Sequence, residues 1–486
     1  MNIDLSIRGL CQGLANLGGQ GSEHTKVDIV LEAKMAIEIS TVMARSGFRY
    51  GEDALFFYDG RKYVKLPDKS VAKIICGILM DLEVGVIYQT KSIDTIIKRI
   101  LRSPRMPEFD PSRAIISFRN KVLNLDTMQQ HPHSDEYMTR IFMDFDYDPA
   151  ATCPRWRTFL TEVISDLDSI RVLQEYLGLI FIDKDMLAIE AMLYLYGTGG
   201  NGKSVVENVI KFILGDDNCS SFTMTQLCTD NNSDYATAIA NGKLLNFASD
   251  MGDKDFSGGK YKAITARDPI MVRPIGMAPF EARDMPLLMA NINKIPVTTD
   301  STDGYWRRNK IIRFDRTFLE NEQDRQLKPK LRAEASGIFN WIIEGRERIL
   351  AQKGQFTESV VMRSISATAR KESNSVLSWL EEKGYVGKLL AGQAGHAMEL
   401  HGKTMMEDYK EYCRIWGNQP KNRTNLRADL IQAGFTPDDH LRVDGVMSSG
   451  WRFSKVDFHD GDDIGMPEVK KTKGLFDDEP TNELPF

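Results

Sequence analysis

The chain has 486 residues, 42% of them hydrophobic and 27% charged, with a formal charge of −6. That length suits about three domains, and the composition excludes a disordered or collagen-like chain. The N-terminal stretch 1–24 sets Asp4 and Arg8 among its apolar positions without a signal-peptide pattern, and no stretch is long and apolar enough to span a bilayer. A cytoplasmic protein with no membrane partner is therefore expected. The six cysteines form no Cys-x-x-Cys pair and His131 and His133 have no nearby thiol, so neither a zinc site nor a disulfide framework is expected. Residues 457–486 hold nine acids against Lys470, Lys471 and Lys473, which accounts for the whole net charge. The rest is balanced, so a nucleic-acid partner stays open through a local basic surface.

Residues 1 to about 45 have helical spacing, with Ile29, Ala33, Ala36 and Ile37 among the apolar positions. From Phe48 to Leu66 two aromatic runs meet at Asp59-Gly60, the composition of a β-hairpin. Amphipathic segments follow at Val71–Met80 and Ile93–Leu101; the four cations from Lys98 to Arg105 suit a solvated face. Ile115–Phe118 and Lys121–Leu125 read as strands around Arg119-Asn120, and His131–Pro154, with three prolines, as a long connection.

Trp156–Ile182 has helical spacing. Met192–Tyr196 is a continuous apolar run ending in glycine, hence a buried strand. Strand-like runs recur at Leu244–Ala248, Leu287–Ile292 and Lys310–Phe314 between polar or helical pieces, which is an α/β pattern. Gln326–Leu350 reads as one helix. A small third unit has helices over Val376–Glu382, Lys403–Trp416 and Asn425–Ala433, then strands at Leu441–Val446 and Trp451–Val456 joined at Ser448-Ser449-Gly450. Helices followed by a hairpin suggest a winged-helix module.

Gly197-Thr198-Gly199-Gly200-Asn201-Gly202-Lys203-Ser204 fits G-x-x-x-x-G-K-[ST] between the Met192 strand and a helix from Ser204 to Leu214. Glycines let backbone amides turn toward phosphate oxygens, and the new helix aims its N-terminal dipole at the same anion. Lys203 is expected to reach the β- and γ-phosphates of ATP and Ser204 to hold Mg2+. Asp250, after the Leu244 run, is the candidate second carboxylate on the magnesium side or beside the attacking water; Asp253 and Asp255 suit a solvated loop. Asn293 can reach the γ-phosphate and its water, although Asn291 could be the amide that points correctly. Arg307 and Arg308 are candidates for a guanidinium supplied to a neighbouring subunit's nucleotide, with Arg308 taken first.

The order G-T-G-G-N-G-K-S, apolar-A-S-D, Lys262 to Asp268, N-K-I-P, then Tyr305-Trp306-Arg307-Arg308 before an apolar strand resembles the superfamily 3 helicases, in the poxvirus-type and phage/plasmid primase-helicase branch. Arg119–Leu125, His131–Ser134, Tyr147–Pro154 and Gln174–Gly178 are similar to the segment that precedes the motor there, and the final unit is similar to their C-terminal winged helix. The resemblance covers about residues 50 to 456. It implies an AAA+-like P-loop ATPase core over 156–355, an N-terminal α/β domain over 1–155 and a winged-helix domain over 375–456, while the high charge, Gly, Pro and Lys of 457–486 lead us to expect a disordered acidic tail there. It also implies an ATP- and Mg2+-dependent replicative helicase of a phage, plasmid or integrated element, forming a homo-hexameric ring on single-stranded and forked DNA in a bacterial host. Gly197, Gly199, Gly200, Asn201, Gly202, Lys203, Ser204, Asp250, Asn293 and one of Arg307 and Arg308 inherit the nucleotide roles. Ile270–Arg283 is expected to form the DNA-gripping hairpin, with Lys260, Lys262 and Arg273 on phosphates.

The family often has Glu where this chain has Asp250, so the water-activating carboxylate stays open. The stretch from Met1 to Tyr50 is too short for a primase domain, so unwinding without primer synthesis is expected. The alternative function is an oligomeric P-loop ATPase that acts as a replication initiator or protein remodeller without processive unwinding. The end of the chain, Phe476 to Phe486, resembles the acidic tip of bacterial single-stranded-DNA-binding proteins. A dock on host replication proteins through Phe486 is one reading of that tip, and a solvating tail the other.

Overall fold

The structure is a computed structural model that describes residues 29–51, 54–81, 97–229, 233–248, 258–273, 279–296, 298, 303–390, 393–416 and 420–456. Asp250, Asp253, Asp255, the N-terminal stretch 1–28 and the acidic tail lie outside the described residues. The chain divides into two compact units between Ala367 and Thr368.

In the first unit, helix α1 (Ile29–Arg45) leads into an antiparallel meander of β1 (Phe48–Gly51), β2 (Ala54–Tyr58) and β3 (Tyr63–Lys65). Two strands were expected here, but the Phe48–Leu66 stretch folds as three, because Gly51 pairs with Ala54 and turns the chain a second time. Helix α2 (Asp68–Asp81) packs Val71 and Ile75 on Ile39, Met43 and Leu55. A second sheet follows, with order β6–β5–β4–β7, from β4 (Ile115–Phe118), β5 (Val122–Asn124), β6 (Gln129–His131) and β7 (Phe142–Met143). The connection expected from His131 to Pro154 therefore holds a short strand, and β7 runs parallel to β4.

Ile116, Phe118 and Leu123 of this sheet belong to the same hydrophobic core as Trp156, Leu193, Leu245 and Phe339. The expected helical stretch from Trp156 divides into α3 (Pro154–Val163) and α4 (Leu167–Leu179), since Asp166 leaves helical geometry and its carboxylate accepts the Ser169 N–H. The region expected as one helix from Gln326 divides into α10 (Leu327–Ala333) and α11 (Ala335–Ala351). The break falls at Glu334, whose carboxylate accepts the first-turn N–H groups of Arg155 and Trp156, both at 2.9 Å.

The central sheet has five parallel strands in the order β14–β8–β13–β10–β9: Asn309–Arg313, Met192–Tyr196, Leu287–Ile292, Leu245–Ala248 and Cys219–Ser220. Strands buried in the sheet read as apolar runs, which is why all but the two-residue β9 are visible in the sequence. Between them lie α5 (Lys203–Leu214), α6 (Met224–Cys228), α7 (Ser233–Ala240), α8 (Gly259–Thr265) and α9 (Asp303–Arg308). An antiparallel hairpin of β11 (Ile270–Val272) and β12 (Phe280–Ala282) lies between β10 and β13 in the chain, as the Ile270–Arg283 stretch led us to expect.

The second unit contains α13 (Ser375–Glu382), α14 (Gly402–Ile415) and α15 (Arg423–Gln432), reached from α12 (Val360–Ser373). Its four strands are β15 (Tyr385–Val386), β16 (Gly395–His401), β17 (Thr436–Val443) and β18 (Val446–Val456), with β18 pairing all three others. The hairpin turn is at Asp444-Gly445, both with positive φ, and not at Ser448–Gly450, which lies inside β18. Two adjacent positive-φ residues match the twist of a two-residue hairpin, and Asp-Gly is the pair that adopts them readily. Trp379, Tyr409, Trp451 and Phe453 form this unit's core. Among the described residues no helix is long and apolar enough to cross a membrane.

Helices α4 and α11 cross at glycines: a Cβ on Gly345 would stand 2.1 Å from the Gln174 carbonyl oxygen, and one on Gly178 would stand 2.2 Å from the Arg346 nitrogen. Both obstacles are backbone, so relief requires moving a helix. Gly345→Ala should lower stability by about 3 kcal/mol, read as a shift of the urea midpoint, whereas an unshifted midpoint would show that the crossing has slack.

Candidate functional site

The turn from Gly197 to Gly202 joins β8 to α5. Gly202 has φ +89°, and a Cβ there would press on the Phe159 ring and Val163 at 3.1 Å, so α3 backs the loop and leaves room only for glycine. Lys203 opens α5 and is buried. Its ammonium donates to the Gly197 carbonyl, the Thr198 carbonyl at 3.0 Å, Asn201 Oδ1 at 3.0 Å and Asn293 Oδ1 at 3.3 Å. Burial lowers its pKa below the ordinary lysine value. Asn201 is buried too. Among the described residues no carboxylate pairs with Lys203 and no acceptor meets Nδ2 of Asn201. A buried cation met by neutral oxygens, beside a buried donor without an acceptor, is a cavity chemistry suited to an anion.

Gly197, Asn201, Lys203 and Asn293 are thus brought together, and Ser204 lies exposed in the first turn of α5. Asn291 is differently engaged: its Nδ2 donates to Glu207 Oε2 at 2.5 Å, while the other Glu207 oxygen pairs with Lys211 at 2.7 Å. Glu207, on α5, had no signal in the sequence because its partner is 84 residues away. The segment after β14 closes over the loop's outer side, where the Phe318 N–H donates to the Gly200 carbonyl at 2.9 Å.

Arg307 and Arg308 are not part of this cluster. They end α9, just before β14, and both reach Glu190 Oε2, at 3.0 and 2.9 Å. The Arg307 side chain is 72% exposed and that of Arg308 14%, with Nη1 of Arg308 also on the Gly304 carbonyl. Glu190 precedes β8 and was missed for the same reason as Glu207.

Two of the three DNA candidates, Lys260 and Arg273, meet at Asp234 at the start of α7. Lys260 donates to Ser233 Oγ at 2.9 Å and pairs with Asp234 at 3.0 Å; the Arg273 N–H reaches the other Asp234 oxygen at 3.2 Å, and its side chain is exposed. The Lys260 pair holds Asp234 below the usual carboxylate range against burial. Lys262 lies on α8. Beside them Tyr235 is 53% exposed, with Ile239 one turn on and Met271 of β11 also exposed. Three large apolar side chains thus stand open to solvent on α7, which carries Asp234, and on β11, which Arg273 follows.

Residues 70–165 match a family described as D5 N terminal like, and residues 195–308 match DUF5906, a family described as of unknown function. L207/L206 of Acanthamoeba polyphaga mimivirus, which carries an inferred helicase name, is 28% identical over 142 residues, 28% of this chain and 14% of that one. The similarly named 022R of Frog virus 3 (isolate Goorha) is 25% identical over 143 residues, 27% of this chain and 14% of that one. The chain therefore matches only a small part of these relatives' length. In fold it is similar to the apo A form of the NrS-1 C-terminal region, with a TM-score of 0.50 and 13% identity over 85% of this chain and 98% of that one. Both family matches fall within the stretch whose motifs resemble the superfamily 3 helicases of the viral and phage-type primase–helicase branch, and the helicase-named relatives are similar over part of the chain.

Proposed function

We propose that the protein is an ATP-driven replicative DNA helicase, a hexameric ring that moves along single-stranded DNA and opens forked duplex. The observation that carries this reading is the polarity of the central sheet. The P-loop and Asn293 follow the C-terminal ends of β8 and β13, whereas Arg307 and Arg308 precede the N-terminal end of β14. Asn309 is level with Met192 and Arg313 with Tyr196, so the whole paired length of the strand separates the two arginines from their own P-loop, about 13 Å along the strand. That separation suits a guanidinium that serves the nucleotide of an adjoining copy and not its own. Arg307, being largely in solvent, is the better candidate; Arg308 is held back beside Glu190.

In this reading Lys203 and the loop amides of Gly199 to Gly202 bind the β- and γ-phosphates of ATP. The buried ammonium and the Asn201 Nδ2 beside it are the features that fit that anion. Ser204 and Asp250 would hold Mg2+, which supplies positive charge to the phosphoryl oxygens. Asn293, already beside Lys203, orients the γ-phosphate and the attacking water, and Glu207 keeps Asn291 turned away. The arginine from the neighbour stabilises charge on the transferred phosphoryl group.

The β11–β12 hairpin and the neighbouring α7 and α8 would grip the unpaired strand. Lys260, Lys262 and Arg273 suit phosphates, and the exposed Tyr235 ring suits a base, since stacking on aromatic side chains tolerates any sequence. The N-terminal region 1–155 would form a collar, 156–355 the motor, 375–456 a winged helix and 457–486 an acidic tail that docks host replication proteins. The ring would work in a bacterial cytoplasm.

Lys203→Ala should cut ATP turnover by at least about 100-fold and abolish strand displacement on a forked substrate. Unwinding that survives this change would end the motor reading. Arg307→Ala should still bind nucleotide but not turn it over, and should poison wild type when the two are mixed before assembly. Normal turnover in Arg307→Ala together with loss in Arg308→Ala would move the role to Arg308.

A further inference from the structure

We infer that the segment following β14 builds the subsite for the heterocyclic base of the nucleoside triphosphate, with Arg316, stacked on Phe318, as the group that receives it. This deepens the nucleotide reading above and rests on it. The P-loop accounts for phosphates alone: from Gly197 to Ser204 there is no ring and no planar cation. Recognition of a base must come from a neighbour of the loop, and residues 314–319 are fixed against it.

Three contacts fix them. The Phe318 N–H donates to the Gly200 carbonyl at 2.9 Å, the Thr317 and Thr198 hydroxyl oxygens lie 3.3 Å apart, and a Cβ on Gly197 would stand 2.8 Å from the Phe314 carbonyl oxygen. In that setting the Arg316 guanidinium carbon lies 4.5 Å from the centre of the Phe318 ring. Glu322 steadies the arrangement, one oxygen accepting the Leu319 N–H at 3.0 Å and the other Arg316 Nη2 at 3.4 Å.

The Arg316 side chain is nevertheless 47% exposed, so its plane is oriented without being covered. Phe318 packs against the main core, which makes it a rigid support. Leu319, 67% exposed, adds an apolar edge at the same lip. A guanidinium held over an aromatic ring offers a planar, weakly hydrated surface on which a base can stack. An exposed leucine beside it suits coverage by an apolar ring face. The loop binds the charged end of the ligand and this lip its flat end, from two stretches that are far apart in the chain and meet only in the fold.

The test uses the full chain with ATP and, as a probe that has phosphates but no base, inorganic tripolyphosphate. Arg316→Ala should raise the KM for ATP by about tenfold, leave kcat within about twofold, and leave inhibition by tripolyphosphate unchanged. Arg316→Lys, which keeps the charge and loses the plane, should behave like Arg316→Ala. Phe318→Leu, which keeps an apolar support but no ring, should give a smaller rise in KM. An unchanged KM in Arg316→Ala overturns the subsite. So does a parallel loss of ATP and tripolyphosphate binding, which would put Arg316 on the phosphates, and so does a loss of kcat alone, which would put it in the chemistry. If wild type binds neither compound, the nucleotide reading itself falls and takes the subsite with it; failure of the subsite alone leaves tripolyphosphate binding intact.

Discussion

The ammonium of Lys203 is taken out of water at the end of the central sheet and met there by carbonyl and amide oxygens. Such burial disfavours the charged form, and the lowered pKa of the group expresses that cost. Much of the local architecture follows from keeping the cation there. The positive φ of Gly202 turns the chain so that Lys203 points back into the loop, and Phe159 and Val163 fill the space that any larger residue would need. β13 runs beside β8 and brings Asn293 within reach, while the segment after β14 seals the loop's outer edge. An anion with several oxygens would relieve this tension at once, which is why the cluster reads as a phosphate site before any ligand is considered.

β13 also connects that site to the hairpin. Its C-terminal end leads to Asn293, and at its N-terminal end the chain arrives from β12 through Asp284. Asp284 is tied on several sides: its N–H donates to Asn241 Oδ1 at 3.0 Å, its carbonyl accepts the Gly242 N–H at 2.7 Å, and its carboxylate pairs with Arg113 at 2.6 Å and with Arg140. Burial would push this carboxyl up, but the guanidiniums of Arg113 and Arg140 hold it below the ordinary range. A strand fixed at one end by a clasped aspartate and ending at the other beside the P-loop lysine is a short, stiff link between the hairpin root and the P-loop.

What could be read in the sequence was whatever is contiguous. The P-loop is one unbroken motif, and the strands flanking its site are buried on both faces, so their apolar runs are unbroken too. Two other strands escaped for want of such a run. β7 has two residues, and β16, Gly-His-Ala-Met-Glu-Leu-His, carries too few large apolar residues to stand out. The turn of the last hairpin was misplaced because Ser448-Ser449-Gly450 is the more polar stretch. Asp444-Gly445 is the pair whose backbone fits, and three exposed positions on β18 leave that part of the strand without an apolar pattern. The helix breaks at Asp166 and Glu334 were hidden because each is made by a side chain that caps a backbone, and capping by Glu334 involves a partner 179 residues away.

The candidate site divides along the same line, and the division has a physical basis. Phosphate binding needs many backbone amides in one turn, so its residues must be neighbours in sequence. Aligning Asn293, steadying Arg307 and Arg308 on Glu190, exposing Tyr235 beside Arg273 and stacking Arg316 on Phe318 each need a single side chain delivered by the fold. Strand order decides which side chains those are. Because β13 lies beside β8 and runs parallel to it, the residue after β13 meets the P-loop, and because β14 is parallel to β8 as well, the two arginines before it fall at the opposite end from their own loop. A change in strand order with the same P-loop would keep the glycine-rich turn but alter which residue reaches Lys203. The glycine-rich motif therefore specifies what is held, and the order of the five strands specifies what is done with it.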